Sequence, residues 1–395
     1  MSAILVVNSG SSSIKYQLID AVTEERFASG LIERIGEESG RIEHQRGGDR
    51  VEQDLVIPDH AAGFSALLDA FERAGTPNDD LGIVAVGHRV VQGGSRFVEP
   101  TVITAEVAEE ILALGELAPL HNPGHYQAIV AARAAFPAVP HVAVFDTAFH
   151  QSMPDRAYTY AIDASVAQEH GLRRYGFHGI SHLVVSRRAA AFLERPVSSL
   201  KQIVLHLGNG ASACAIDGGR SIDTSMGLTP LEGLAMGTRS GDIDPGLMLH
   251  LLRNGMNTEQ LDALLNKRSG LVGLAGSNDF RDVRAAAESG NDAARLAIEV
   301  YVHAIRRYLG AYLLELGGAD AIVFTAGVGE NAADLRAAVC ADLEWFGVRL
   351  DAARNEAVAR GARLISEDDS RVAVLVVPTD EEAEIARQTW ELVAE

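Results

Sequence analysis

The sequence predicts an α/β protein built from two related domains, and three observations carry that expectation. At 395 residues the chain is longer than one hydrophobic core usually serves. Short apolar runs of strand length alternate along it with segments of helical periodicity. A strand, a turn of small polar residues and a second strand occur twice, at residues 4–19 and 203–216, about 200 residues apart.

Residues 4–7 form a short apolar strand. Asn8-Ser9-Gly10-Ser11-Ser12-Ser13 is a turn, and residues 14–19 resume as a strand with Ile14, Tyr16 and Leu18 on one face. Further strands are expected near Leu31 and Arg41. Residues 60–74 have helical spacing, with Phe64, Leu67, Leu68 and Phe71 making an apolar stripe. Residues 83–87 and 142–145 read as buried strands. The second cycle runs through a strand at 203–207, a Gly208-Asn209-Gly210 turn and a strand at 211–216. A long helix is bounded by Asn291, an N-cap, and by Gly317-Gly318, a stop. Residues 321–325 form a strand feeding a Gly-rich turn and another helix. Residues 372–377 are the last strand and 381–392 the last helix.

Composition excludes several classes. The net charge of −20 repels nucleic acid and anionic lipid, so neither is an expected partner. A nucleotide is repelled too, so a site for one has to be assembled locally from amides, a metal ion and a few cations. Lys15, Lys201 and Lys267 are the only lysines against 31 arginines, which singles out Lys15 inside its Ser/Gly motif. No apolar run approaches the roughly 20 residues of a membrane helix. Residues 1–7 carry no basic region and no long apolar core, so they read as a first strand rather than a signal peptide, and the expected location is the cytoplasm. Cys214 and Cys340 fit no metal spacing and read as buried small apolar residues of a reducing compartment.

Three turns could hold phosphate. The 8–13 turn aims backbone N–H groups and hydroxyls at one spot, and Lys15 lies on the same strand face as Ser13. His206-Leu207-Gly208-Asn209-Gly210-Ala211-Ser212 is the second, although Asn-Gly alone signals no more than a hairpin. Gly327-Val328-Gly329-Glu330-Asn331-Ala332 imitates a dinucleotide fingerprint, but fewer than 70 residues follow it, too few for the sheet such a fingerprint begins. No P-loop pattern occurs.

From Asp223 to Pro245 the chain concentrates glycines, hydroxyls, three aspartates and a single cation, Arg239, without strand or helix periodicity. Long irregular stretches inside compact domains are usually functional, and Arg239 among small residues suits a phosphate. His178 and His182 have the spacing of a zinc pair, but Gly179 weakens a helix there and no H-E-x-x-H glutamate is present. His121 and His125 share the spacing with Pro123 and Gly124 between them. The functional reading of His178 is a hydrogen-bond donor to phosphoryl oxygens.

Together these motifs resemble the acetate kinase family, part of the acetate and sugar kinase, heat-shock chaperone and actin superfamily. The resemblance covers essentially the whole chain. It is carried in family order by Asn8-Ser9-Gly10-Ser11-Ser12-Ser13-Ile14-Lys15, Gly87-His88-Arg89-Val90-Val91, Leu120-His121-Asn122-Pro123, Phe145-Asp146-Thr147-Ala148-Phe149-His150 and Tyr175-Gly176-Phe177-His178-Gly179. His206-Leu207-Gly208-Asn209-Gly210, residues 223–245, Asp279-Phe280-Arg281 and Gly327-Val328-Gly329-Glu330-Asn331 complete it. Two departures stand out: Gln92 replaces a histidine of many members, and Asp380 an asparagine.

The fold this resemblance implies is two actin-like (ribonuclease H-like) domains, each a mixed β-sheet flanked by helices, with the active site in the cleft between them. The implied domains are 1–148 plus the C-terminal helix 383–395, and a nucleotide-binding domain at 149–382. The implied reaction is reversible transfer of the ATP γ-phosphoryl group to acetate, giving acetyl phosphate and ADP, with Mg2+ (or Mn2+) as cofactor and a homodimer as assembly. By the same resemblance Arg89 pairs with the substrate carboxylate, and Val91, Leu120, Phe177 and Pro230 wall its methyl group. Asn8 and Glu381 position the metal, and His178 and Arg239 bind the phosphoryl group in flight. Lys15, His206, Leu207, Gly208, Asn209, Gly210, Asp279, Phe280, Arg281, Gly327, Val328, Gly329, Glu330 and Asn331 surround the nucleotide.

Phosphoryl transfer is mostly positioning and charge neutralisation. A carboxylate nucleophile, with a reference pKa around 4, is already ionised at neutral pH, so no general base is required. Asp146, aligned with an essential aspartate of the family, is therefore expected to orient Arg89 or the metal shell, and transfer is expected to be direct and in line. The alternatives are a propionate or butyrate kinase of the same family, or a nucleotide-gated module. A chaperone of that superfamily would continue into a peptide-binding domain, whereas this chain ends at Glu395.

Overall fold

A computed structural model describes residues 2–75 and 81–394. The chain divides into two compact units, Met1–Ala148 with Asp380–Glu395, and Phe149–Thr379.

The first unit is built on one sheet of eight strands: β1 (Ala3–Ser9), β2 (Ser13–Asp20), β3 (Arg26–Glu33), β4 (Gly40–Arg46), β5 (Asp49–Leu55), β6 (Ile83–Val90), β7 (Thr101–Val102) and β8 (His141–Phe145). Their order is β5-β4-β3-β2-β1-β6-β8-β7. Strands β1 to β5 pair antiparallel in sequence, while β6 joins β1 and β8 joins β6 in parallel. The parallel centre is covered on both faces, which is why Ala3 to Val7 reads as unbroken apolar sequence. Helices His60–Arg73 and Asn122–Ala135 supply one cover, where Phe64, Leu67, Phe71 and Ala128 meet Leu5, Val7, Ile14 and Tyr16. The C-terminal helix Glu381–Val393 packs against β1, β6 and β8.

The second unit has a six-stranded sheet: β9 (Lys201–Leu207), β10 (Ala211–Asp217), β11 (Arg220–Thr224), β12 (Ala321–Thr325), β13 (Arg363–Leu364) and β14 (Ala373–Val376), ordered β11-β10-β9-β12-β14-β13. Here β9, β10 and β11 pair antiparallel, and β12 and β14 add in parallel. The path β11-β10-β9-β12-β14 thus repeats β3-β2-β1-β6-β8 in order and direction. The expectation of two related mixed-sheet domains is met by this repeat. Helix Gly179–Phe192 sends Val184, Val185 and Ala189 against Val204, Cys214, Val323 and Leu375. The long helix, capped by Asn291 as expected, spans Asp292–Glu315 and packs on β9 and β10.

Local differences from the sequence reading are instructive. The 8–13 segment is mostly strand: Asn8 pairs with Lys15 and Ser9 with Ile14, leaving residues 10–12 as the turn. That turn is held by His60, whose Nε2 donates to the Gly10 carbonyl at 2.9 Å. The Gly-rich segment after β12 is not a turn but a helical turn, Ala326–Asn331, reached through a left-handed Ala326 (φ 64°). Its carbonyls are answered by side chains: Asn331 Nδ2 donates to Gly327 O at 2.8 Å, and Arg336 Nη1 to Gly329 O and Glu330 O at 2.9 Å each.

Gly87 in the middle of β6 is required by close approach. A Cβ there would stand 2.4 Å from Thr389 Oγ1 and 2.9 Å from Ile385 Cγ2, on the C-terminal helix. Gly87→Ala should therefore lift that helix from the sheet and lower unfolding stability by about 1–3 kcal/mol, read by denaturant titration against the wild type.

Candidate active site

In the first unit the strand ends gather one charged cluster. Arg89, near the end of β6, donates from Nη2 to Asp146 Oδ2 at 2.6 Å and from Nε to Oδ1 at 3.2 Å, a two-point pairing. Its Nη1 reaches Asn8 Oδ1 at 3.3 Å, and Glu381 Oε2 lies 3.6 Å from Nε. Asp146 is buried, and Arg89 is mostly so. Burial opposes the Arg89 charge, but the carboxylates, Asp146 foremost, outweigh it and raise its pKa. Lys15, the cross-strand partner of Asn8, forms an ion pair with Glu382. Both glutamates stand in the first turn of a helix that Asp380 caps by accepting from Ala383 N at 3.1 Å. Aspartate serves as N-cap as well as asparagine, so that departure keeps the helix start intact.

Gln92, the other departure, is fully buried. Its Oε1 accepts from Gly94 N at 2.9 Å, and its backbone carbonyl from Asn122 Nδ2 at 2.9 Å. It therefore shapes the glycine turn after β6. Val91 is buried beside it, and Leu120 is 53% exposed.

In the second unit the turn expected to hold phosphate is Gly208–Gly210, closed by Gly208 N donating to Gly210 O at 3.0 Å. His206 and Leu207 belong to β9 and are buried behind it. Gly210 is the meeting point of two predicted residues. A Cβ built on it would lie 3.4 Å from His178 Nε2 and 3.6 Å from Arg239 Nη1. His178 is held in a left-handed conformation (φ 57°) immediately before helix Gly179–Phe192, so the weak helix start inferred at Gly179 is a helix beginning. Phe177, beside it, is buried, and its carbonyl accepts from His150 Nε2 at 3.0 Å.

Among the described residues Arg239 donates to neutral acceptors, Pro230 O at 3.3 Å and Met236 Sδ at 3.7 Å. Burial pulls its pKa down, and no carboxylate among the described residues pairs with it. The stretch that carries it is irregular, as expected, but firmly tied. Arg174 Nη1 donates to the carbonyls of Thr224, Ser225 and Met226 at 3.0–3.1 Å, and its Nη2 binds Glu232 Oε1 at 2.5 Å. Asp242 accepts from Gly233 N at 2.8 Å and from Tyr308 Oη at 2.9 Å.

A cavity of about 800 Å3 in the same unit is lined by Gly208, Asn209, Asp279, Phe280, Arg281, Gly327, Val328 and Asn331, all expected around a nucleotide, together with Leu271, Asn278, Arg284 and Ala332. Asn209 Oδ1 accepts from Asn278 Nδ2 at 3.2 Å. A Cβ on Gly237 would stand 2.0 Å from that same oxygen, so a side chain there would displace Asn209. Asp279 caps helix Phe280–Glu288 and is pulled down to about 2 by its bond to Arg281. Gly329 and Glu330 are not among the residues lining the cavity; burial raises Glu330, whose Oε1 accepts from Thr379 N at 3.4 Å.

Sequence reasoning missed Asn278, Arg174 and Arg336, and it placed Ser212 only at the end of a possible phosphate turn. Arg336 is fully buried and binds backbone carbonyls and Asn355 Oδ1, the latter at 2.8 Å; burial, then the Arg363 charge, pull it down to about 10. Ser212, opposite His206 in β10, touches His178 Nδ1 at 2.9 Å and His182 Nε2 at 2.8 Å. Among the described residues no helix is long and apolar enough to cross a membrane, and no cluster of three or more His, Cys, Asp or Glu is arranged around a metal position.

The duplicated mixed sheet, with a glycine turn at the cavity of the second unit, fits the phosphotransferase class the sequence resembles. Within that class the chain belongs to the acetokinase family, whose sequence profile matches residues 3–387. It is 62% identical to the acetate kinase of Leifsonia xyli subsp. xyli over 395 residues, covering 100% of both chains. Its structure superposes on the acetate kinase of Porphyromonas gingivalis with a TM-score of 0.95 at 40% identity, covering 100% of both chains. A propionate kinase from Francisella tularensis gives a TM-score of 0.93 at 41% identity, covering 99% of this chain and 100% of that one.

Asp223 of the tied stretch pairs with Glu315 at the end of helix Asp292–Glu315. Burial, then the adjoining Asp223, push Glu315 up to about 7 from 4.5, and burial raises Asp223 as well. A carboxyl raised on folding contributes its full stability below the unfolded value and loses it as pH climbs through the folded one. Glu315→Gln keeps a hydrogen-bond donor without the ionisation. Its Tm should gain on that of the wild type as pH rises above 4.5 in thermal melts, with the difference growing up to about 7 and levelling off beyond it.

Proposed function

We propose that this chain transfers the γ-phosphoryl group of Mg2+·ATP to acetate, reversibly and in one in-line step. One carboxylate oxygen bonds to phosphorus as the bond to the β–γ bridging oxygen breaks, and the electron pair leaves with ADP. The observation that carries this reading is the pairing of an uncompensated Arg239 with the His178 Nε2 edge at Gly210. A cation and a polarised N–H aimed at one point suit the equatorial oxygens of a phosphoryl group. The Gly208, Asn209, 279–281 and 327–331 segments would hold the nucleotide in the second unit's cavity, which makes residues 149–382 the nucleotide-binding domain of this reading. His206 and Leu207 support its turn from behind.

In the first unit, Arg89 would present its outer N–H groups to the acetate carboxylate while Asp146 fixes the guanidinium plane from the other edge. Val91, Leu120, Phe177 and Pro230 would wall the methyl group. Asn8 and Glu381 offer oxygen donors only, one amide and one carboxylate. That fits Mg2+, which takes few protein ligands and shares the rest with phosphates and water. When bound, the ion neutralises phosphate charge; Mn2+ accepts the same oxygen donors. Lys15 adds a cation beside Asn8.

A homodimer belongs to the same reading. Helix Pro245–Arg253 carries Leu247, Met248, Leu249, Leu251 and Leu252 yet buries none of its residues, with Leu249 52% exposed. A second copy would cover that surface.

Trapping acyl phosphate as the hydroxamate tests the reaction directly. Acetate should give product, and Arg239→Ala should cut kcat by on the order of 100-fold or more with the KM for acetate little changed. One added methylene in the substrate is worth about 1–3 kcal/mol, so kcat/KM should fall from acetate to propionate to butyrate. A preference for propionate would make the chain a propionate kinase, and no hydroxamate from any of the three would end this reading. Asp146→Asn should lower kcat/KM by on the order of 100-fold through the loosened Arg89. Its pH–rate profile should keep the wild-type acid limb, whereas a limb that moved with the substitution would assign Asp146 a proton-transfer role.

A further inference from the structure

Behind His178 lies a hydrogen-bonded chain that the phosphoryl-binding role does not itself explain. Ser212 Oγ sits between two imidazoles, 2.9 Å from His178 Nδ1 and 2.8 Å from His182 Nε2. Ser212 and His182 are both fully buried. The hydroxyl has one proton and two lone pairs; since no other acceptor among the described residues takes that proton, it donates to one ring and accepts from the other.

The direction follows from the far side of His182. Its Nδ1 is buried with no hydrogen-bond partner among the described residues. A proton there would be an orphaned buried donor, which folded proteins avoid more strictly than an unanswered acceptor. Burial, then the neighbouring His150 and His206, keep His182 neutral by lowering its pKa well below the ordinary value. It therefore carries a single proton, on Nε2, and donates it to Ser212. The hydroxyl must then donate onward to His178 Nδ1, which leaves the His178 proton on Nε2, the atom facing Gly210 and Arg239.

We propose that Ser212 and His182 are positioning residues that lock His178 in its Nε2-protonated form, so that it always presents an N–H, never a lone pair, to the phosphoryl group. Two features hold the ring in place for this. It stacks on His206, with centroids 4.2 Å apart and planes 20° from parallel. Its backbone is set by the left-handed turn at residue 178, against which His150 donates to the Phe177 carbonyl at 3.0 Å. A lone pair at Nε2 would repel the equatorial oxygens, so a free choice of tautomer would waste part of the enzyme population.

This inference rests on the reading that His178 touches the transferring group, and the experiment separates the two. Six variants are assayed by hydroxamate formation, with circular dichroism melts to check folding: Ser212→Ala, Ser212→Thr, His182→Leu, His182→Gln, the Ser212→Ala/His182→Leu double variant and His178→Ala. Ring-nitrogen NMR of 15N-histidine-labelled enzyme reports the His178 tautomer. Ser212→Ala should lower kcat about 10-fold or more with KM values for ATP and acetate near those of the wild type. Ser212→Thr, which keeps the hydroxyl, should recover most of the loss. His182→Gln should lose less than His182→Leu, because it keeps an N–H at similar reach. The Ser212→Ala/His182→Leu double variant should be no slower than Ser212→Ala alone, since both act along one path. The wild-type spectrum should show His178 protonated at Nε2, and Ser212→Ala should show mixed tautomers. A wild-type His178 protonated at Nδ1, or a folded Ser212→Ala variant with wild-type kcat, overturns the inference even if His178→Ala is inactive. A fully active His178→Ala variant overturns the underlying reading of the site instead.

Discussion

Arg239 holds a positive charge half out of water with no carboxylate among the described residues to answer it, and much of the second unit is arranged to keep it so. The stretch that carries it is rich in acids that could neutralise it, yet each is engaged elsewhere. Glu232 is taken by Arg174 and by Tyr160, whose hydroxyl donates to it at 2.5 Å. Asp242 accepts from Gly233 N and Tyr308. Asp244 caps helix Pro245–Arg253, and Asp223 pairs with Glu315 near Arg174. In a chain of net charge −20, such containment of nearby carboxylates is what lets one guanidinium attract an anion. It also explains why the segment is irregular: its backbone serves side-chain partners rather than a helix or a sheet.

The first unit treats its arginine in the opposite way. Arg89 is compensated by Asp146 at two points and approached by Glu381. Pairing fixes the plane of the guanidinium at the cost of its net charge, which suits a group that must recognise a carboxylate by geometry. The two units therefore share a sheet topology but not an electrostatic design. The repeated hairpin carries a hydroxyl-rich turn beside Asn8 and Lys15 in one case, and bare glycines beside Arg239 in the other. Duplication accounts for the frame, and divergence at the turn accounts for the chemistry.

Much of this was legible before any coordinates, because turn chemistry and periodicity are local. The two hairpins, helix His60–Arg73, helix Asp292–Glu315 with its Asn291 cap, and the cavity lining at Asn209, Asp279 and Gly327 all follow from residues close in sequence. What escaped has a common physical cause. Arg174 and Arg336 act on backbone carbonyls, and every residue has one, so no pattern announces the partner. Segment 327–331 looked like a turn because of its glycines, yet Arg336 and Asn331 satisfy the carbonyls that would otherwise favour leaving the helix. Ser212 was hidden in a run of small strand residues, and only the cross-strand register with His206 brings it under the two imidazoles.

The histidines make the final point about mechanism. A site with this many imidazoles invites an acid–base reading, but burial argues against it. His125 is pushed down to about 3 and His150 to about 4, and His88 and His182 lie well below the ordinary value, in each case by burial first. These rings are neutral at physiological pH and have no tendency to collect a proton. They serve as fixed dipoles and packing units, which is what a reaction with an already ionised nucleophile requires. A carboxylate attacking phosphorus releases no proton, so a base near it would be idle, and a protonated histidine would only hold the acceptor in its ground state. The neutral imidazoles and the arginines therefore express one requirement: donors that stay put while negative charge moves past them.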